Sequence, residues 1–181
     1  MTPDVNVLVA ASRTDHPHHE VAREWLEESL GTSGTGAAFT LMPMVLASFL
    51  RLVTSPKIFQ IPTPVEVAVA FLDALLAAPG VQLAQLGPEW PRLRQLCLDK
   101  SLRGNDLPDA WLSSAVVQLG EHLVTFDRDF RRLLTRSQYT LLVVTPNPSL
   151  KRSANGSPPG PGRGAVAFST ARAWRATVVS R

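Results

Sequence analysis

The chain of 181 residues contains one cysteine, Cys97, which excludes an internal disulfide and a zinc site built from cysteines. Because Cys97 lies in an apolar helical pattern, we expect it to fill the core. No apolar run reaches the roughly 20 residues that a membrane span needs. The N-terminus lacks the positive charge of a signal peptide. These absences favour a cytoplasmic protein that does not bind or cross a membrane.

Acidic residues are missing from the C-terminal part of the chain. Residues 146–181 include 6 basic residues and no acidic one, whereas residues 1–145 carry 12 basic and 15 acidic residues. The C-terminal part is also rich in proline, glycine and serine and lacks hydrophobic periodicity, which predicts disorder. We therefore expect one domain over residues 1–145, followed by a basic, disordered tail over residues 146–181.

Strand-like and helix-like patterns alternate along the predicted domain. Residues 5–11 form a short run rich in valine, which we interpret as a strand buried on both faces. Further strand patterns fall at residues 37–41, 81–87 (a strand and turn), 122–126 and 139–144, and amphipathic or apolar helix patterns, including one at residues 19–31, lie between them. The helix pattern at residues 44–56 is apolar almost all round, which predicts a buried helix. The alternation predicts an α/β fold with a mostly parallel sheet.

Four aspartates, Asp106, Asp109, Asp127 and Asp129, flank a helix pattern, a glycine stop and a strand pattern within residues 105–130. Asp127 directly follows a strand pattern, and Asp4 accompanies the first one, so both are placed where ligands bind to parallel sheets. Oxygen-only clusters suit a hard cation such as Mg²⁺ or Mn²⁺. Each acid taken singly is more often structural, but together they predict a shared metal site.

Neighbouring polar residues have candidate supporting roles. Asn6 is expected to orient Asp4 by a hydrogen bond, and Thr125 alternates to the same face as Asp127. Asn105 or Asp106 can cap the helix that begins near position 107, and Asp106 is the better candidate. The histidine-rich segment at residues 16–19 is expected to be a solvated or substrate-side loop. No G-x-S-x-G or P-loop pattern is present, so the sequence offers no sign of either nucleophilic serine or nucleotide chemistry.

Four motifs together resemble a known family. D-x-N-V-L-V-A-A, F-L-R-x-V-T-S-P, G-N-x-x-P-D-A-W-L and L-V-T-F-D-R-D-F occur in this order within residues 1–145. They resemble PIN-domain ribonucleases, and more narrowly the VapC-like toxins of type II toxin–antitoxin systems. The resemblance implies a three-layer α/β/α PIN-like fold with a central, mostly parallel sheet. It also implies Mg²⁺- or Mn²⁺-dependent hydrolysis of RNA, a cognate antitoxin and a homodimer.

The resemblance also assigns roles to individual residues. Asp4, Asp109 and Asp127 match the acids that bind metal, and Asp129 matches a further acid that many members use in catalysis. In this fold, the carboxylates hold a divalent cation that activates water and stabilises charge on the phosphate.

The chain departs from the family pattern at Ser48, where many members have a glutamate. The site is then one carboxylate short, unless Asp106 compensates. The alternative is a catalytically weakened PIN-fold protein that binds RNA or an antitoxin without cleavage. Arg51, the one charge on its apolar helix, has three possible partners: a substrate phosphate, an antitoxin or a nearby acid. Of these, we favour an ion pair with an acid.

Overall fold

A computed structural model describes residues 1–33 and 38–143. The predicted basic tail at residues 146–181 lies outside the described residues. The elements, in chain order, are β1 (Thr2–Pro3), α1 (Val5–Ser12), α2 (His19–Ser33), β2 (Phe39–Leu41), α3 (Pro43–Val53), α4 (Val65–Leu76), β3 (Val81–Leu83), α5 (Trp90–Lys100), α6 (Asp106–Gln118), β4 (Leu123–Thr125), a 3₁₀ helix (Arg128–Arg132) and β5 (Tyr139–Leu141). No helix within the described part of the chain is both long and apolar enough to traverse a lipid bilayer.

The strands form a parallel sheet at the centre of the fold. β4 pairs with β1 on one side and with β5 on the other, and β2 pairs with β3, in each case in parallel. The Thr40 N–H donates to the Met1 carbonyl at 2.8 Å, which places β2 beside β1. The spatial order is therefore β3-β2-β1-β4-β5. Six helices flank this sheet in a three-layer α/β/α arrangement, as the sequence predicts.

The interpretation of residues 5–11 as a strand is wrong, because the first strand is only Thr2–Pro3 and the valine-rich run forms α1. The Asp4 side chain caps this helix by accepting a hydrogen bond from the Val5 N–H at 2.6 Å. Most of α1 is buried, so the run is apolar on nearly every side and its periodicity cannot separate a helix from a strand. The helix packs between α2 and α3 at the centre of the core.

The prediction that α3 is buried all round is also wrong. Only Val45, Phe49 and Val53 are fully buried, and the opposite face of α3 forms one wall of an open groove. No residue of α5, all of which is described, is fully buried, and Cys97 is half-buried on the same groove instead of filling the core. The apolar residues of both helices line a cavity that the fold leaves open.

Candidate active site

Asp4 lies at the carboxyl end of β1, where the chain turns directly into α1. The side chain is only 4% exposed. One carboxylate oxygen accepts the Val5 N–H, and the other accepts the Thr125 hydroxyl at 2.7 Å. Burial, together with the nearby charges of Asp109 and Asp127, raises the pKa of Asp4 to about 6, against the lowering effect of both hydrogen bonds. The surroundings of Asp4 therefore disfavour its ionised form.

Asn6 and Thr125 form a bracket that joins α1 to the end of β4. The Asn6 side-chain amide donates to the Thr125 hydroxyl at 3.1 Å, and its carbonyl oxygen accepts the Phe126 N–H at 3.2 Å. The prediction that Asn6 bonds Asp4 directly is wrong in detail, because Asn6 lies in a helix and no longer shares a strand face with Asp4. Asn6 orients Thr125, and Thr125 orients Asp4.

Asp127 and Asp129 follow β4 on a tight turn. The Asp127 N–H donates to the Thr125 hydroxyl at 2.9 Å. The same hydroxyl therefore contacts both the Asp4 carboxylate and the backbone of Asp127. One Asp127 oxygen accepts the Asp129 N–H at 2.7 Å and caps the short 3₁₀ helix. Asp127 is half-buried and Asp129 is exposed. The turn therefore presents Asp127 towards the site and leaves Asp129 at its outer edge.

Asp109 is a half-buried side chain in the first turn of α6. Burial raises the pKa of Asp109 to about 6, and the charges of Asp127, Asp106 and Asp129 raise it further in that order of size. Asp4 also experiences the charge of Asp109. The fold therefore brings all the predicted acids, from three separate segments, into one electrostatic cluster.

The cluster is not a preformed coordination sphere. Within residues 1–33 and 38–143, no three histidine, cysteine, aspartate or glutamate side chains are grouped closely enough to surround a metal ion. Electrostatic repulsion acts over longer distances than direct coordination, so the two observations are compatible. The donor set itself consists of carboxylate oxygens, which are the ligands that Mg²⁺ and Mn²⁺ prefer.

A groove with a volume of about 960 Å³ opens beside the acids. Asp4 and Asp109 lie on its wall, together with Ser48 and Arg51 from α3. The preference for an Arg51 ion pair is wrong, because Arg51 is exposed and no acid lies within 4 Å of it in the described chain. Ser48 stands on the wall that the two acids share and contributes no carboxylate to it.

A second cavity, of about 300 Å³, lies on the other side of Asp109. Asp106 and Asp129 line it with Asp109. The prediction that Asn105 or Asp106 caps α6 is wrong: in the described chain neither side chain bonds an N–H of the helix, and Asp106 instead accepts the Arg103 N–H at 3.4 Å. The exposed Asp106 carboxylate therefore faces the second cavity, next to Asp109.

Sequence reasoning did not single out the contact between Glu89 and Trp111. Glu89 accepts the Trp111 indole N–H at 2.9 Å and the Gly87 N–H at 2.6 Å. Glu89 is buried, which opposes its charge, yet these hydrogen bonds hold the pKa of Glu89 below its usual value. Trp111 belongs to the P-D-A-W-L motif, but Glu89 lies 22 positions away and no local pattern links the two.

The histidine segment packs more tightly than a solvated loop. His19 is buried, and its Nδ1 donates to the Ala10 carbonyl at 2.9 Å. The His18 ring lies 4.9 Å from the ring of Phe126, which is the residue between Thr125 and Asp127 in the sequence. This segment therefore packs against the residue that follows β4.

Comparisons with known proteins identify the family of the chain. The PIN domain family matches residues 1–134. The chain is 42% identical over 130 residues to Ribonuclease VapC25 of Mycobacterium tuberculosis. This alignment covers 71% of this chain and 89% of that protein. It is 37% identical over 130 residues to VapC ribonuclease Mb2897 of Mycobacterium bovis, covering 71% of this chain and 86% of that protein.

A solved structure supports the fold. The crystal structure of VapBC2 from Rickettsia felis, bound to a DNA fragment from the promoter, matches with a TM-score of 0.51 and 21% identity. The match covers 73% of this chain and 91% of that one. With the family match over most of the chain and curated relatives above one-third identity, the chain belongs to the PIN-domain family, in its VapC branch.

Proposed function

We propose that this protein is a metal-dependent endoribonuclease that acts as the toxin of a toxin–antitoxin pair and hydrolyses RNA phosphodiester bonds. The observation that carries the proposal is the coupling of Asp4, Asp109 and Asp127, two of which have a pKa raised to about 6. Acids that repel one another in a partly buried place are stabilised by a bound cation. The relatives named as ribonucleases support the same chemistry.

Three side chains would hold the cation: Asp4, Asp109 and Asp127. When bound, Mg²⁺ or Mn²⁺ would supply positive charge against the phosphate and a more acidic water. The chain itself keeps the Asp4 carboxylate in one orientation through Thr125, which Asn6 fixes in turn. This support restricts the side chain before substrate arrives and so lowers the cost of ordering the site.

Asp129 and Asp106 are outer acids in this proposal. Both are exposed, and both raise the pKa of Asp109 through their charge. An exposed carboxylate at this position is suited to orient a water or accept a proton from it. Asp129 takes this role. Asp106 is the candidate to supply a further carboxylate to Asp109, but it does so from the second cavity and not from the groove wall where Ser48 lies.

One observation favours a second candidate function. Ser48 contributes no charge to the wall that Asp4 and Asp109 share. A site one carboxylate short binds its cation more weakly, since ligand charge tunes the affinity of hard cations. The alternative is therefore a PIN-fold protein that binds RNA or its antitoxin and cleaves little or no RNA.

Cleavage of purified RNA by the full chain tests both candidates. We expect cleavage with Mg²⁺ or Mn²⁺ and none with a chelator. Asp109→Asn should reduce the rate by at least about a hundredfold, because it removes a ligand from a cluster that acts as a unit. The matched control is Asp73→Asn, which changes an exposed aspartate on α4 outside both cavities.

The outcomes separate the candidates. If Asp109→Asn cleaves as fast as the wild type, the proposed site is wrong. If the wild type is inert with either cation but still binds RNA, the second candidate replaces the first. In a cell, the first candidate predicts growth arrest by the wild type and normal growth with Asp109→Asn.

The partners of the protein belong to the same proposal. The solved neighbour is VapBC2 from Rickettsia felis, bound to a DNA fragment from the promoter. We infer a cognate antitoxin and a homodimer for this chain. Co-expression with the neighbouring reading frame, followed by light scattering of the purified complex, tests both.

A further inference from the structure

Two tryptophans face the groove beside the acids. Trp90, at the start of α5, is 61% exposed, and Trp111, on α6, is 38% exposed. Both line the groove of about 960 Å³ that also contains Asp4 and Asp109. Large aromatic side chains are normally covered in a folded domain, so two of them open on one groove need a reason.

The Trp111 ring is held in place before any ligand arrives. Its indole N–H donates to Glu89, which is 6% exposed and also accepts the Gly87 N–H. The hydrogen bond ties the polar edge of the ring to the loop before α5 and leaves part of the ring on the groove. A fixed aromatic ring loses little conformational freedom when a planar ligand stacks on it.

Cations lie on both sides of Asp109. Arg51 and Arg94 are exposed on the groove, and no acid lies within 4 Å of either in the part of the chain that is described. Lys100 and Arg132 line the second cavity, of about 300 Å³, and Asp109 lines both. Each cavity therefore has two cations close to the acids: two arginines on the groove, and a lysine and an arginine on the second cavity, which also contains Asp106, Asp109 and Asp129.

We propose that the groove binds single-stranded RNA, with bases stacked on Trp111 and on Trp90 and the neighbouring phosphates contacted by Arg51 and Arg94. The strand then passes over Asp109 towards Lys100 and Arg132. This inference rests on the proposed function, since it places the substrate of the same site. A base must be unstacked from its own neighbours to reach an aromatic ring, so the proposal specifies single-stranded RNA.

An apolar groove also suits a protein helix, but two features favour RNA. A helix in the groove leaves the cations of the second cavity without a role, whereas an RNA strand uses the cations on both sides of Asp109. The groove also ends at the acids where a phosphodiester has to lie for hydrolysis. Stacking on tryptophan and contact between arginine and phosphate are the usual combination in single-strand binding.

Binding of two RNAs in the presence of a chelator tests the stacking. One is a short single-stranded RNA, and the other has the same backbone with abasic sites. For the intact RNA, Trp111→Leu should weaken binding by between about fivefold and about a hundredfold, as expected for one lost base stack. The abasic RNA should bind the wild type and Trp111→Leu equally, because it has no base to stack.

Further variants guard against misfolding. Trp90→Leu changes a side chain that is 61% exposed, so it tests the same groove with little risk to the fold. Trp111→Phe keeps an aromatic ring and should recover part of the affinity. Trp25→Phe is the control for an aromatic change, since Trp25 packs against Phe39 and lines neither cavity.

The phosphate contacts have a separate measurement. Arg51→Gln should lower the slope of log affinity against log salt by about 0.7 for single-stranded RNA. Lys57→Gln, an exposed change outside both cavities, should leave the slope unchanged.

Each outcome decides something. If Trp111→Leu and Trp90→Leu both bind intact RNA as the wild type does, the inference is overturned and the groove is left to a protein helix. An equal loss with intact and abasic RNA also overturns it, because the rings then act without a base. Tryptophan-dependent binding by a wild type that never cleaves RNA supports this inference while removing the proposed function. Conversely, if the wild type cleaves RNA but its affinity for RNA depends on neither tryptophan, the proposed function is supported and this inference is overturned.

Discussion

Replacing Asp4 by asparagine should make the metal-free protein more stable near neutral pH. The pKa of Asp4 is about 6 in the folded chain, above its ordinary value of 3.8. At a pH between 3.8 and about 6, the Asp4 side chain is mostly protonated in the folded chain and mostly ionised in the unfolded chain. Unfolding then releases a proton, so stability falls as pH rises. The stability that the protonated form provides is complete below about pH 4 and is lost as pH rises through about 6.

The magnitude follows from the size of the shift. A difference of about 2 pKa units corresponds to about 3 kcal/mol, which the wild type loses between about pH 4 and about pH 7. Asparagine carries no charge and avoids this loss. Its single side-chain carbonyl oxygen, however, cannot accept from both Val5 and Thr125, which costs about 1 kcal/mol. Asp4→Asn should therefore be about 2 kcal/mol more stable than the wild type near pH 7 and about 1 kcal/mol less stable near pH 4.

Urea unfolding of both full-length proteins with a chelator, followed by far-ultraviolet circular dichroism over a series of pH values, measures this crossover. Asp73→Asn, with its exposed side chain, should follow the wild type at every pH. Added Mn²⁺ should reverse the order near neutral pH, because a ligand at 100 times its Kd stabilises the form that binds it by about 2.7 kcal/mol. A difference between Asp4→Asn and the wild type that stays the same at every pH would refute the reasoning, since a pH-independent effect cannot come from the Asp4 charge.

Three further changes have definite expectations. Ser48→Glu should tighten Mn²⁺ binding by about one order of magnitude in calorimetry, because it adds a carboxylate to the wall of the site; unchanged affinity would mean that the site lacks no acid. Gly80→Ala should lower the free energy of unfolding in the same urea titration by more than about 2 kcal/mol, because the added Cβ would collide with the Ser33 carbonyl oxygen. Gly120→Ala is the control: Gly120 also has a positive φ but lies in open space, so this change should cost about 1 kcal/mol. Arg13→Met should cost about 3 kcal/mol, measured in the same way, because the buried guanidinium joins α1 to the loop between α3 and α4 by hydrogen bonds and by stacking on a phenylalanine ring.

Amphipathic segments were predictable from their periodicity. The helix pattern at residues 19–31 corresponds to α2, and the patterns at residues 81–87 and 122–126 contain β3 and β4. In α2 the apolar residues recur with the helical period on one buried face, so local sequence is sufficient for this helix. Residues 5–11 gave the wrong answer because they are buried on nearly every side, and only the packing of α1 against α2 and α3 decides between helix and strand.

In the candidate site too, some features were predictable from the sequence and others were not. Asp4, Asp109 and Asp127 were identifiable because each stands at the beginning or end of an element, where parallel sheets collect ligands. Their assignment as metal ligands remains a prediction. The partners of these acids were not identifiable, since Thr125 reaches Asp4 across 121 positions and Glu89 reaches Trp111 across 22. Such contacts depend on which elements become neighbours, which no local pattern states.

The α/β class, the parallel sheet, the family and the order of the acids along the chain were predictable without the fold. They follow from short-range periodicity and from residue types at fixed spacing. Four features emerged only in the folded chain: α1 is a helix, Asn6 acts through Thr125, Arg51 has no ion pair within the described residues, and two tryptophans open on the groove. Burial and long-range hydrogen bonds set each of these outcomes, and both exist only once the layers have packed.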